Sequence, residues 1–179
     1  MTAVIAYSRR LLLREFVRED IEWLDSLMSD PRVMRYSVSG PLSRAKSQER
    51  LEHIRQSYKV HGAGLYAVIL RTSGECLGYC GFIRQQLPGG AEWEIGYRLL
   101  PHYWGLGYAT EAARAVRRLG EKQFRFARMI SIIDPGNTAS IAVARKIGMR
   151  YERDTEFHGK EVRIYAWTGP EKALAPETG

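Results

Sequence analysis

The stretch from Ala91 to Ala112 constrains this chain more than any other. Ala91 to Leu100 reads as a strand, and Pro101 to Gly107 is a loop rich in glycine and aromatic residues. A helix follows from about Tyr108 to Phe124, with Ala112, Ala113, Val116 and Leu119 as its apolar stripe. The first amides of such a helix have no intrahelical acceptors, and the helix dipole adds partial positive charge there. The terminus is therefore a ready anion site, with Gly105, Gly107 and Ala109 keeping side chains clear of the backbone. A Walker loop would need Gly-Lys-Ser/Thr, which is absent. A dinucleotide fingerprint would need three glycines after the first strand, whereas this loop follows the fourth. A phosphate-binding loop and a plain glycine turn both remain open on these grounds.

The elements around this segment set the fold class. Arg10 to Phe16 reads as a first strand, and a helix through Ile21, Leu24, Leu27 and Met28 follows, with Asp20 as its N-cap and Asp30-Pro31 as its end. Ser43 starts a second helix that stops by Gly62. Leu65 to Arg71 and Cys76 to Arg84 form a hairpin around Thr72-Ser73-Gly74, and Pro88-Gly89-Gly90 turns into the strand at Ala91. Beyond the long helix come a short apolar strand at Arg128 to Ile133 and a helix from Asn137 to Ile147, closed by Gly148. Two last strands, Tyr151 to Phe157 and Val162 to Thr168, precede a tail from Gly169 expected to fray. The order β-α-α-β-β-β-α-β-α-β-β predicts a single α/β domain built on a mixed sheet.

Composition narrows the class. The 179 residues suit one domain, and 45% hydrophobic residues are enough for a core. The longest uncharged stretch, Leu99 to Thr110, is too short and too polar to cross a membrane. The start of the chain lacks a basic n-region and a long apolar segment, so no signal peptide is expected. Cys76 and Cys80, at i and i+4 on one strand, would share a face more than about 12 Å apart at a rise of about 3.3 Å per residue. They cannot pair there, and a reduced, cytoplasmic protein is expected. The net charge of +7 invites a nucleic-acid reading. Because the basic residues are dispersed from Arg9 to Lys172 among acidic ones, the pattern argues against it. An anionic small ligand accommodates the same excess. No His/Cys pair has metal-ligand spacing, and His53, His61, His102 and His158 stand apart, so no metal is expected.

The segment Trp104-Gly105-Leu106-Gly107-Tyr108-Ala109 resembles the acyl-CoA pyrophosphate loop of the GNAT acetyltransferase superfamily. Glu94-Ile95-Gly96-Tyr97 before it and Thr110-Glu111-Ala112 after it sharpen the likeness. About 33 residues on, Asn137-Thr138-Ala139-Ser140 and Lys146-Ile147-Gly148-Met149 resemble the Asn-x-x-Ser helix of the RimJ/RimL-like branch. The likeness spans residues 8 to 168, leaving 169 to 179 as a tail. Trp104 departs from the Gln or Arg that the wider superfamily favours there.

The resemblance implies one GNAT-like domain with a mostly antiparallel sheet, splayed fourth and fifth strands and about four flanking helices. It implies transfer of an acetyl group from acetyl-CoA to a primary amine, either a protein N-terminus or a small molecule such as a polyamine or amino acid. The backbone of Tyr97, Arg98 and Leu99 would then bond the pantetheine arm like an added strand. Amides from Trp104, Gly105, Leu106, Gly107, Tyr108, Ala109 and Thr110 would hold the pyrophosphate. Asn137 would contact the cofactor, although it is equally the N-cap of its helix, worth about 1 kcal/mol.

Amine acetylation needs a proton acceptor, and Glu94 is the leading candidate, with Glu92 two residues earlier on the same face. Both could equally be solvated or ion-paired. Ser140 is the candidate for binding CoA and protonating its departing thiolate, or else a hydroxyl completing the helix cap. Tyr36, Tyr58, Tyr103 and Trp93 either line an acceptor cleft or pack in the core. Alternatives are another acyl donor such as succinyl-CoA, or a catalytically silent module that binds acyl-CoA or RNA. Monomer and homodimer both remain open.

Overall fold

The computed structural model describes residues 3–169, so the expected frayed tail lies, from residue 170 on, outside the described residues. The elements run β1 (Val4–Tyr7), β2 (Leu11–Arg14), α1 (Ile21–Ser29), α2 (Pro31–Met34), α3 (Arg44–His61), β3 (Leu65–Leu70), β4 (Cys76–Leu87) and β5 (Gly90–Leu99). After these come α4 (Tyr108–Lys122), β6 (Arg128–Ile133), α5 (Thr138–Lys146), β7 (Arg150–Phe157) and β8 (Lys160–Thr168). The eight strands form one sheet in the order β1-β2-β3-β4-β5-β6-β8-β7. Every neighbouring pair is antiparallel except β5 with β6. The predicted mixed, mostly antiparallel α/β domain is the one observed, with five α-helices.

Differences from the sequence reading have local causes. Val4–Tyr7 is a strand that short length and weak alternation hide, and it pairs with β2 across a turn at Ser8. The strand expected at Arg10 to Phe16 stops at Arg14, because the chain then folds around Asp20. Asp20 stands at the N-cap position of α1, as expected, but its side chain makes no cap bond there. Its carboxylate accepts two 2.7 Å hydrogen bonds from the Arg14 guanidinium, one from the Val17 N–H at 2.8 Å and one from the Trp23 indole at 3.1 Å. Asp30 is the true cap here, accepting from the Arg32 N–H at the start of α2, with Pro31 in its first turn. The α3 boundaries match expectation. Ser43 caps its start, and Gly62 ends it in the left-handed conformation at φ +69°.

Two apolar layers enclose the sheet. Leu11, Tyr66, Phe82, Ile95 and Leu99 pack with Ala112, Val116 and Ile141 beneath α4 and α5. On the opposite face Leu65, Ala67 and Tyr79 pack with Leu24, Leu27, Met34 and Ile54 from α1, α2 and α3. The register of β3 against β4 slips between Val68 and Ile69, so one extra residue sits on β4 beside Gly78. This bulge reverses the side-chain alternation. Cys76 consequently faces the α1–α3 layer and Cys80 the α4–α5 layer, and both are free. They share a strand, but not the face expected from simple alternation. Gly78 is required at the bulge, since a Cβ there would lie 2.1 Å from the Arg98 carbonyl oxygen.

Candidate active site

The site begins where β5 and β6 separate. Only Glu94 and Ile130 stand as partners between the ten-residue β5 and the six-residue β6. Past that point the buried Ser131 hydroxyl donates a 2.9 Å hydrogen bond to the Ile95 carbonyl, taking the place of the next ladder bond. Backbone groups alternate sides along a strand, so Tyr97 and Leu99 point theirs into the same gap. The Leu99 carbonyl accepts the Trp104 indole N–H at 2.7 Å. The Tyr97 N–H and carbonyl and the Leu99 N–H are left without partners among the described residues. The splay expected between these strands is present, and its open edge is the one at Tyr97 to Leu99.

The glycine loop closes the wide end of the gap. Pro101–Tyr103 forms a single 3-10 turn, and Gly105 and Gly107 follow at φ +75° and +81°, conformations that favour glycine. Gly107 stands at the N-cap of α4 with no side-chain cap, which leaves the first amides of the helix free for a ligand. Trp104 stands where the wider superfamily favours Gln or Arg, and its indole anchors the loop to the end of β5.

A second anchor escaped the sequence reading. Arg10 donates its backbone N–H and its Nε to the two Glu111 oxygens, each at 2.7 Å, and its Nη1 to the Leu106 carbonyl at 3.1 Å. The same guanidinium lies 4.3 Å from the centre of the Tyr108 ring. The Ser8 hydroxyl adds a 2.7 Å bond to Glu111. These partners hold the Glu111 carboxyl below the usual glutamate range against the desolvation that raises it. The paired 101-residue separation of Arg10 and Glu111 gave no local signal for this contact. A groove of about 750 Å³ runs from Gly107 along α4, lined by Arg9, Arg10, Arg114, Arg118 and Lys146 among others.

Glu94 lies at the narrow end of the splay, on the face toward α3. It is half-buried, and among the described residues its one hydrogen-bonded side-chain partner is Gln85 across the β4–β5 ladder, at 2.6 Å. Burial raises its carboxyl above the ordinary range, while the Gln85 bond, the Arg98 charge, the Ile132 amide and the Arg50 charge pull the other way. Glu92 is differently placed. Arg128 holds it in an ion pair at 3.0 Å and also binds Glu152 at 2.7 Å, so Glu92 is committed to structure.

Asn137 caps α5 by accepting the Ser140 N–H at 3.1 Å. The Ser140 carbonyl accepts the Tyr97 phenol at 2.8 Å, which ties β5 to α5 across the gap. Burial raises that phenol well above its usual range, so it remains a protonated donor. Tyr97, chosen from sequence for its backbone, thus brings a hydroxyl as well. Of the four aromatic residues considered for an acceptor cleft, Tyr36 borders the site, donating to the Gly136 carbonyl at 3.1 Å. Tyr58 bonds the Leu65 carbonyl and the Phe16 amide, Trp93 stacks on Phe126, and Tyr103 packs edge-on to Tyr108. Those three are packing residues.

The family model described as "Acetyltransferase (GNAT) domain" matches residues 10–150. The chain belongs to the GNAT acetyltransferase family. This GNAT domain is 39% identical over 139 residues to the uncharacterized protein YkkB of Bacillus subtilis, covering 78% of this chain and 80% of that one. It superposes on an acetyltransferase (GNAT family) from Bacillus anthracis with a TM-score of 0.77 and 31% identity, covering 94% and 98% of the two chains. The RimL ribosomal L7/L12 α-N-protein acetyltransferase, solved with coenzyme A, shares the fold at a TM-score of 0.77 and 20% identity, with 93% and 98% covered. The GNAT domain is accordingly an acetyltransferase. Among the described residues no helix is long and apolar enough to cross a membrane.

Proposed function

We propose that this GNAT domain transfers an acetyl group from acetyl-CoA to a primary amine, and that the domain works as a reduced cytoplasmic protein. The observation that carries this reading is the alignment of two unsatisfied backbone arrays. The free Tyr97 and Leu99 groups lead directly to the uncapped amides at the start of α4. Together they match the amide-bearing arm and the pyrophosphate of a coenzyme A thioester, one taken as an added strand and the other at a helix N-terminus. The RimL enzyme of the same fold was solved with coenzyme A, which supports the same ligand here. Acetyl-CoA would supply the activated acetyl carbon as a thioester.

The chain's own residues divide the remaining work. Amides of the loop from Trp104 to Thr110 bind the pyrophosphate, and the Arg10–Glu111 pair holds that loop in shape. Asn137, its carbonyl oxygen spent on the cap, keeps its side-chain amide for the cofactor. Glu94 accepts a proton from the attacking ammonium or amine, and its raised affinity for protons brings it nearer to neutral pH. A bond forms from the amine nitrogen to the acetyl carbon as the carbon–sulfur bond breaks. The Tyr97 phenol, which donates to the Ser140 carbonyl, or the Ser140 hydroxyl protonates the departing thiolate. Arg114, Arg118 and Lys146 along the α4 groove supply positive charge for the remaining phosphate.

The test is free-thiol release from acetyl-CoA against a panel of amines and short peptides. Thiol release dependent on a primary amine supports the reading. Tight acetyl-CoA binding with no release across the panel would mark a sensor instead.

A further inference from the structure

Glu94 sits in a row of isoleucines. Ile83 stands directly opposite it on β4, and Ile130 is its partner on β6. The Ile83 Cδ1 lies 3.0 Å from where a Cβ on Gly96 would stand, so the Ile83 side chain fills the space over that glycine. A carboxyl among such neighbours keeps its proton unless donors favour the charged form.

Two donors reach it. The Gln85 Nε2 donates to the Glu94 Oε2 at 2.6 Å. The second is the Ile132 amide. Ile130 turns its backbone groups toward β5, and Ile132, two residues on, points the same way past the end of the ladder. Its N–H has no β5 carbonyl to meet and finds the carboxylate instead. The register also explains why Gln85 is free. Its own opposite number is Glu92, which Arg128 binds at 3.0 Å, so the half-buried Gln85 reaches along the diagonal to Glu94.

The surrounding charges attract but do not orient. Arg98 on β5 and Arg50 on α3 both act on the Glu94 carboxylate. The α3 cleft that reaches Ile83 adds His53 and His61. Glu92, Arg128 and Glu152 pair among themselves. On the opposite face of the sheet Arg84 lies over the Trp93 ring, and Tyr97 stays protonated. Direction comes from the hydrogen bonds. A carboxylate has about four lone-pair sites, and Gln85 and Ile132 occupy two of them.

Resting on the reading of Glu94 as the base, we propose that Gln85 is a positioning residue for acetyl transfer: its amide fixes the Glu94 carboxylate beside Ile132 and leaves the remaining lone pairs for the acceptor's proton. Gln85 itself neither takes nor gives a proton in the step.

The test is the pH dependence of kcat/KM for thiol release, with the most active amine of the panel, in wild type, Gln85→Met and Gln85→Glu. Gln85→Met removes a donor that favours the charged form. Its rising limb should move to higher pH by about one unit, with kcat/KM below the limb about 10-fold lower. Gln85→Glu keeps the size and shape but sets a second carboxyl against the first, and should move the limb farther. The acetyl-CoA Kd of both variants should equal that of wild type, which also shows that they fold. Without any acceptor, the carboxyl carbon resonance of Glu94 should titrate about one unit higher in Gln85→Met than in wild type. A limb and a resonance that stay at the wild-type pH in both variants would overturn the proposal, whether or not kcat/KM falls. If Glu94→Gln abolishes the limb while Gln85→Met leaves it in place, the failure is that of Gln85 alone. A limb that survives Glu94→Gln would instead overturn the base reading, and this proposal with it.

Discussion

The Ser131 hydroxyl donates a 2.9 Å hydrogen bond to the Ile95 carbonyl at the point where β5 and β6 part. A side chain there occupies an acceptor that the neighbouring backbone would otherwise take. It lets the ladder stop after one pair without leaving a buried carbonyl bare, and the open edge at Tyr97 follows from it. Ser131→Ala should therefore destabilise the domain by about 1–3 kcal/mol, measured as a shift in the urea midpoint with unchanged slope. Acetyl-CoA affinity should fall with it, and an unchanged Kd would mean the splay does not depend on this bond.

Glu94 couples chemistry to pH. Its carboxyl is raised by burial, so the folded state holds a proton that the unfolded state releases earlier. This group's stabilising contribution is complete below the unfolded pKa and is lost as pH rises through the folded one. Glu94→Gln should remove that downward slope, so the variant's stability relative to wild type should increase across this window. On the proposed mechanism catalysis runs the other way, because the deprotonated form is the proposed base. The rate should climb with pH through the same transition, and Glu94→Gln should lower kcat/KM about 10²-fold and abolish that limb. A variant that keeps the limb assigns the base to another group.

Arg14 and Asp20 form a structural ion pair at the start of the α1–α3 layer, with Asp20 only 5% exposed. The Arg14 bonds and two further donors hold Asp20 below its usual range against desolvation. Asp20→Ala leaves a half-buried guanidinium unpaired and should cost about 3 kcal/mol. Stability from this group is present above the unfolded aspartate pKa and is lost as pH falls through the folded value. The wild-type minus variant difference, followed by denaturation from neutral to acidic pH, should shrink on that side.

Arg10 and Glu111 shape the loop without lining the proposed thioester gap. Glu111→Gln can keep its amide oxygen on the Ser8 hydroxyl and the Arg10 N–H, but it sets an N–H donor against the Arg10 Nε and removes the ion pair. Acetyl-CoA binding should weaken about 10-fold, an effect near 1.4 kcal/mol, while the pH dependence of turnover should keep the limb assigned to Glu94. Calorimetric titration measures the first quantity and a pH–rate profile the second.

The loop, its helix and the α5 cap were legible because each is written locally. Gly105 and Gly107 punctuate a strand-to-helix passage, and Asn137 precedes a helix with Ser140 three residues on. Long-range pairings were not legible. Arg10 with Glu111 and Gln85 with Glu94 depend on sheet register and on how α4 lies over β2. Simple alternation also failed where it had to, at the Gly78 bulge, which placed Cys76 and Cys80 on opposite faces. Glu92 and Glu94 look equivalent in sequence, yet the start of β6 brings Arg128 to Glu92 alone.

The central claim is that the acyl-CoA arm completes the sheet at the β5 edge. Residue-resolved amide hydrogen exchange with and without acetyl-CoA tests it most directly. The account predicts slower exchange at the Tyr97 and Leu99 amides and at those from Gly105 to Thr110, with little change in β1 to β3. Protection that spares Tyr97 and Leu99 while acetyl-CoA is demonstrably bound would contradict it.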